Sequence, residues 1–134
     1  MTTQNRTHSN NQPKDKRQVA LKTALNILDK WECSEQEKMT ILGIGRSTLH
    51  KYQSDPYSAR VSHDLLERVS YLLNIHSSLR ILFENKDNVY GFVRMPNSNY
   101  FFNGATPMDI MNSGSVANLY EVNNQITTLR GGQW

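Results

Sequence analysis

Gly43-Ile44-Gly45-Arg46-Ser47-Thr48 is the stretch whose residue types come nearest to phosphate chemistry. Two glycines one residue apart let backbone amides approach an anion, and the arginine and hydroxyls behind them can hold it. The surroundings do not fit a nucleotide loop. A dinucleotide fingerprint needs a strand before it and a third glycine three residues after the second, where this chain has Thr48. A P-loop would end in Gly-Lys-Ser/Thr, which is absent. The same letters fit the turn of a DNA-binding helix pair. There Gly43 makes the turn, and Ile44 and Leu49 pack a third helix against the first two. Arg46, Ser47, His50 and Lys51 then lie exposed near that helix's N-terminus, where base edges are read. Arg46 suits guanine, while Ser47, Thr48 and Lys51 suit phosphates or bases. Met39 cuts against this reading, because many such motifs place a small residue four positions before the turn glycine. A plain helical hairpin with a solvated Arg/Lys face is the competitor.

Other chemistry is poorly provided for. His8, His50, His63 and His76 are scattered, and Cys33 has no second cysteine, so zinc-ligand spacing is missing. Cys33 beside a helix start reads as a small packing residue, with no Asp or Asn placed to orient a Cys–His pair. The acidic residues sit mostly at helix starts, where they serve the dipole. An enzyme is the least favoured class, and neither a cofactor nor a metal is expected.

The charge is unevenly spread. The net charge is +3, yet residues 1–60 hold ten Lys and Arg against six Asp and Glu, and residues 61–134 hold five against six. The excess in the first half favours a polyanion partner there. The single cysteine excludes an intrachain disulfide and suits a reducing cytosol. No apolar run approaches the roughly 20 residues that span a bilayer, and the start lacks a signal peptide's layout. A cytoplasmic protein without membrane contact is expected. An apolar content of 37% leaves room for only a small core in 134 residues.

The elements that must position these residues are helical. Residues 1–13 are polar, without apolar period, and read as a disordered arm. A helix from Lys14 carries Ala20, Ala24, Ile27 and Trp31, widened by Leu21, Leu25 and Leu28. Ser34 and Glu37 form a capping box for a second helix that stops at Gly43. A third helix runs from Arg46 to Ser54, and Asp55-Pro56 ends it. Ser62 caps a longer helix with Leu65, Leu66, Val69, Leu72 and Leu73, which Asn74 can terminate, leaving 75–83 as another helix. Residues 89–94 suit helix or strand. Thr106 caps a helix with Pro107 at its first position, running 108–111 and packing Met108 with Ile110 or Met111 on the 65–83 helices. A last helix over 115–129 carries Val116, Leu119, Val122, Ile126 and Leu129, and Gly131-Gly132 releases the tail.

Four stretches bring a family into view. Residues 65–83, LLERVSYLLNIHSSLRILF, resemble the central helices of the Xre/MbcA/ParS-type antitoxins, partners of RES-domain toxins. Residues 103–111, from Asn103-Gly104 through Thr106-Pro107-Met108-Asp109 to Met111, are similar to that family's Gly-x-Thr/Ser-Pro-Leu-Asp-Leu-Leu signature. Trp31 ahead of the capping box, Leu42-Gly43 and Arg46-Ser47-Thr48 look like its N-terminal unit, and Leu129-Arg130-Gly131-Gly132 like its ending. The resemblance implies a mostly α protein in which a helix-turn-helix unit precedes a small, mainly helical toxin-binding domain. The divisions expected are an arm at 1–13, a DNA-binding unit at 14–60 and a toxin-binding and dimerisation domain at 61–134. It further implies an antitoxin that blocks the cleft of a cognate RES-domain toxin, an NAD-degrading enzyme, and represses its own operon by binding operator DNA as a homodimer. Leu129, Arg130, Gly131, Gly132, Gln133 and Trp134 are the toxin-binding candidates, with Arg130 and Trp134 as anchors. The alternative is a dimeric helix-turn-helix regulator without a toxin partner.

Overall fold

The structure is a computed structural model, and it describes residues 15–131. The expected arm at 1–13 lies outside them. Seven α-helices and two 3-10 turns follow one another among these residues, without a strand.

Helix α1, Lys16–Lys30, starts two residues after Lys14, where the sequence pattern begins, because the Asp15 side chain accepts the Arg17 amide and fixes the cap there. Leu21, Ala24, Leu25, Ile27 and Leu28 face the core, and Trp31 is buried just past the helix end. The turn that follows is tight, and Glu32 adopts a left-handed φ of 60°. Helix α2, Glu35–Leu42, is held at its start by the full capping box, Ser34 Oγ accepting the Glu37 amide and the Glu37 carboxylate accepting the Ser34 amide. It ends at Gly43 with φ 68°. Helix α3, Arg46–Ser54, begins where the sequence places it. A 3-10 turn at Pro56–Ser58 then packs against α1 and α3.

Helix α4, His63–Leu82, corrects the expectation of two helices. Asn74 does not cap a C-terminus. Its side-chain amide donates to Asn123 Oδ1 across to the last helix, 2.6 Å away, and the backbone runs on uninterrupted. With neither Gly nor Pro between 63 and 82, nothing local stops the helix. Residues 89–94, which suit helix or strand, fall in α5, Lys86–Gly91, and in a 3-10 turn at Phe92–Arg94. A loop closed by backbone bonds between Asn97 and Ala105 and between Gly104 and Asn97 leads on. Thr106 and Asp109 form a second capping box for α6, Pro107–Met111. Helix α7, Val116–Arg130, is capped by Ser115.

Helix α4 is the spine. Helices α1 and α7 both pack along it, and its Leu65, Val69, Leu72, Ile75 and Leu79 are buried between them. Short α6 docks chiefly on α7 and the Phe92–Arg94 turn rather than on α4. Pro107, Met108 and Met111 are its buried residues, while Ile110 is half-buried. The reason is length: five residues offer one inward face, and Met108 and Met111, three apart, occupy it.

Arginines tie the first three helices to the rest. Arg68 on α4 donates to the Ile41 carbonyl at 3.2 Å and the Gly114 carbonyl at 3.1 Å, joining the end of α2 to the turn before α7. Arg94 donates to the Trp31 and Glu32 carbonyls in the α1–α2 turn, at 2.9 and 3.1 Å. The helix-turn-helix therefore sits in the same packed body as the C-terminal helices.

Candidate functional site

The geometry of the α2–turn–α3 unit answers which use the glycine pair serves. Gly43 is required for its backbone: φ is left-handed, and a Cβ there would lie 3.0 Å from the Arg68 guanidinium carbon. Gly45 is different. It is the N-cap of α3 with φ −82°, and a Cβ would meet nothing within 4 Å. No side chain caps α3, so the amides of its first turn have no side-chain acceptor. Leu49 is buried and Ile44 half-buried beneath the turn, as expected. Met39 is half-buried and packs on the same core, so the flexible thioether chain occupies the place of a small residue without separating the helices.

On the outer face of α3, Arg46, Ser47, His50 and Lys51 are exposed and Thr48 is half-buried. Arg46 and His50 stand one turn apart and converge on one acid, Glu35, whose place at a helix start suggests only a role toward the α2 dipole. Glu35 Oε1 lies 2.9 Å from Arg46 Nε, and Glu35 Oε2 meets His50 Nε2. This hydrogen bond from His50, followed by the charges of His50 and Arg46, holds the Glu35 carboxyl below the usual range. The three-residue turn joins the end of α2 to the start of α3, and Glu35 stands at the other end of α2, so no local signal in the sequence pairs it with Arg46 and His50. Lys51 and Ser47 keep no partner among the described residues. A helix start with free amides, a guanidinium, an ammonium and hydroxyls is equipped to hold phosphate oxygens and reach base edges.

At the other end of the chain, Leu129 is half-buried and Arg130 is exposed as the last residue of α7, with Gly131 closing it. Arg130 has no acidic partner among the described residues. Gly132, Gln133 and Trp134 lie outside them. Cys33 is free, half-buried and packed on the core. Its thiol is pushed up to about 11, first by burial and then by the Glu37 carboxylate. Among the described residues no three His, Cys, Asp or Glu gather into a metal-binding group, and no helix is long and apolar enough to cross a membrane.

Comparison with known proteins agrees with this layout. Residues 12–74 match the antitoxin Xre-like helix-turn-helix domain, and residues 78–132 match the antitoxin Xre/MbcA/ParS C-terminal toxin-binding domain. The chain belongs to the Xre/MbcA/ParS antitoxin family. A relative in Sinorhizobium fredii (strain NBRC 101917 / NGR234), described as the uncharacterized protein y4oB, is 34% identical over 113 residues, covering 84% of each chain. In this antitoxin fold α1 to α3 belong to the helix-turn-helix segment, and α5 to α7 to the toxin-binding segment. The two matched segments meet inside α4.

Proposed function

We propose that this chain is an antitoxin that occupies the active-site cleft of a cognate RES-type, NAD-degrading toxin and represses its own operon through α3, acting as a cytoplasmic homodimer without catalytic activity of its own. The observation that carries the reading is the pairing, in one chain, of a helix-turn-helix segment with a toxin-binding segment. The exposed basic face of α3, with an uncapped N-terminus, supports DNA contact through Arg46, Ser47, Thr48, His50 and Lys51. Two copies related by a two-fold axis place two such helices on successive major grooves. Arg130, exposed at the end of α7 and followed by Gly131, supports a role for residues 129–134 as the plug. An arginine there can meet a carboxylate of the cleft, and Trp134 can stack where a ring of NAD lies.

The test is co-expression with the protein encoded by the neighbouring reading frame, expected to be a RES-domain toxin, with cell survival and NAD content as readouts. The full chain is expected to protect, and a chain lacking residues 131–134 to protect less while still shifting its promoter fragment. If the full chain leaves NAD loss unchanged, the toxin half of the proposal fails and the regulator without a toxin partner takes its place. If the shortened chain protects as well as the full one, α7 itself becomes the contact.

A further inference from the structure

The carboxylate of Glu35 is placed where a DNA-reading surface would be expected to avoid negative charge. Both oxygens are engaged by residues of α3, Oε1 with Arg46 Nε at 2.9 Å and Oε2 with His50. These contacts do little for the fold. The Arg46 and Glu35 side chains are 66% and 43% exposed, and ion pairs so open to water are screened and contribute little stability. Their effect is on orientation. With Glu35 Oε1 2.9 Å from Nε, the Arg46 guanidinium is biased towards one orientation, and its two terminal nitrogens, unpartnered among the described residues, are left as a fork for a base edge such as O6 and N7 of guanine. His50, one turn on, is drawn to the same side by the other oxygen.

The acid also acts on DNA as such. A fixed negative charge beside the phosphates disfavours every duplex alike, and only a duplex that offers the fork its base recovers the loss. We propose that Glu35 is a specificity-determining positioning residue: it presents Arg46 in one orientation to a base edge and weakens contact with unrelated DNA. This rests on the reading of α3 as the DNA-binding helix.

Full-length chain, Glu35→Gln, Arg46→Ala and the double variant can each be titrated by fluorescence anisotropy with the duplex upstream of the gene and with a scrambled duplex. The Glu35→Gln chain is expected to bind the scrambled duplex more tightly, and the upstream-to-scrambled preference to fall about ten-fold, the scale of one good base contact. In the Arg46→Ala background the same change should leave the preference where it stands, because the acid then has no fork to orient. Equal shifts for both duplexes would mean a bare charge effect and overturn the proposal, as would a loss of preference that persists without Arg46. A wild-type chain with no preference for the upstream duplex overturns the DNA reading itself, an outcome distinct from a preference that Glu35→Gln leaves unchanged.

Discussion

Arg94 and Glu37 make a two-point contact across the chain: Nη2 donates to Oε1 at 2.7 Å and Nη1 to Oε2 at 3.2 Å. The same carboxylate accepts the Ser34 amide that starts α2. One acid thus belongs at once to the capping box of the helix-turn-helix and to a clamp from the toxin-binding segment.

Arg94→Ala is expected to lower stability by about 1–3 kcal/mol, because it strips partners from the Trp31 and Glu32 carbonyls as well as from Glu37. Arg94→Lys should recover only part of that, since an ammonium cannot reproduce the planar fork. Urea denaturation of the three proteins decides it, and an unchanged midpoint for Arg94→Ala would contradict the clamp.

The clamp carries a pH signature. The Arg94 hydrogen bond, opposed by burial and aided by the Ser34 amide, holds the Glu37 carboxyl below its ordinary 4.5. A lowered folded value means that the unfolded chain binds the proton more readily. The contribution is therefore complete above the ordinary glutamate range and is lost as pH falls through the lowered value. The difference in melting temperature between wild type and Arg94→Ala should shrink from pH 7 to pH 3. A gap that stays constant would place the arginine's effect in its carbonyl contacts alone.

Cys33 should be a poor nucleophile in the folded chain. A thiol moved from 9.0 to about 11 has about 100-fold less thiolate at mildly alkaline pH. Alkylation at pH 8 is expected to be correspondingly slow and to accelerate in denaturant. Rapid modification of the native chain would show the thiol to be open and activated.

The glycines of the turn should respond unequally. Gly43→Ala meets both a left-handed φ and the Arg68 guanidinium, and is expected to cost about 1–3 kcal/mol. Gly45→Ala, with open space around it, should stay within about 1 kcal/mol, the scale of a weaker N-cap. Thermal melts separate the two, and equal losses would refute the assignment of the strained position.

On DNA, Arg46→Ala is expected to cost about 1–3 kcal/mol at the cognate site and to relax its base preference. Lys51→Ala should weaken all duplexes and lower the salt slope by about 1. Binding measured over a range of salt distinguishes the two, and identical behaviour of both variants would remove the division of roles.

Much of the helical layout was legible because short-range chemistry fixes it. Ser34 with Glu37, Gly43, and Thr106 with Pro107 set boundaries through atoms a few residues apart, and α2, α3 and α6 begin where those residues say. The unity of α4 was not legible. An Asn can end a helix or bridge to another one, and only the position of Asn123, 49 residues away, decides between them. Residues 89–94 are too few to show a period, so helix and strand stayed level until packing chose. The arginine clamps were hidden for another reason: most of their acceptors are backbone carbonyls, which every residue possesses. Glu35 was visible as an acid at a helix start, but its two partners come from a helix whose approach only the folded turn defines.

The matched segments meet between residues 74 and 78, inside α4, where Leu72, Ile75 and Leu79 are wholly buried and Asn74 is tied to Asn123. A gene fusion that joined this DNA-reading half to a foreign partner-binding half would have its crossover within the interior of one continuous helix. Each parent would then have to supply matching side chains to the same core at the moment of exchange. The helix-turn-helix segment and the toxin-binding segment thus share one helix and one core, so exchanging either alone disturbs packing that both need.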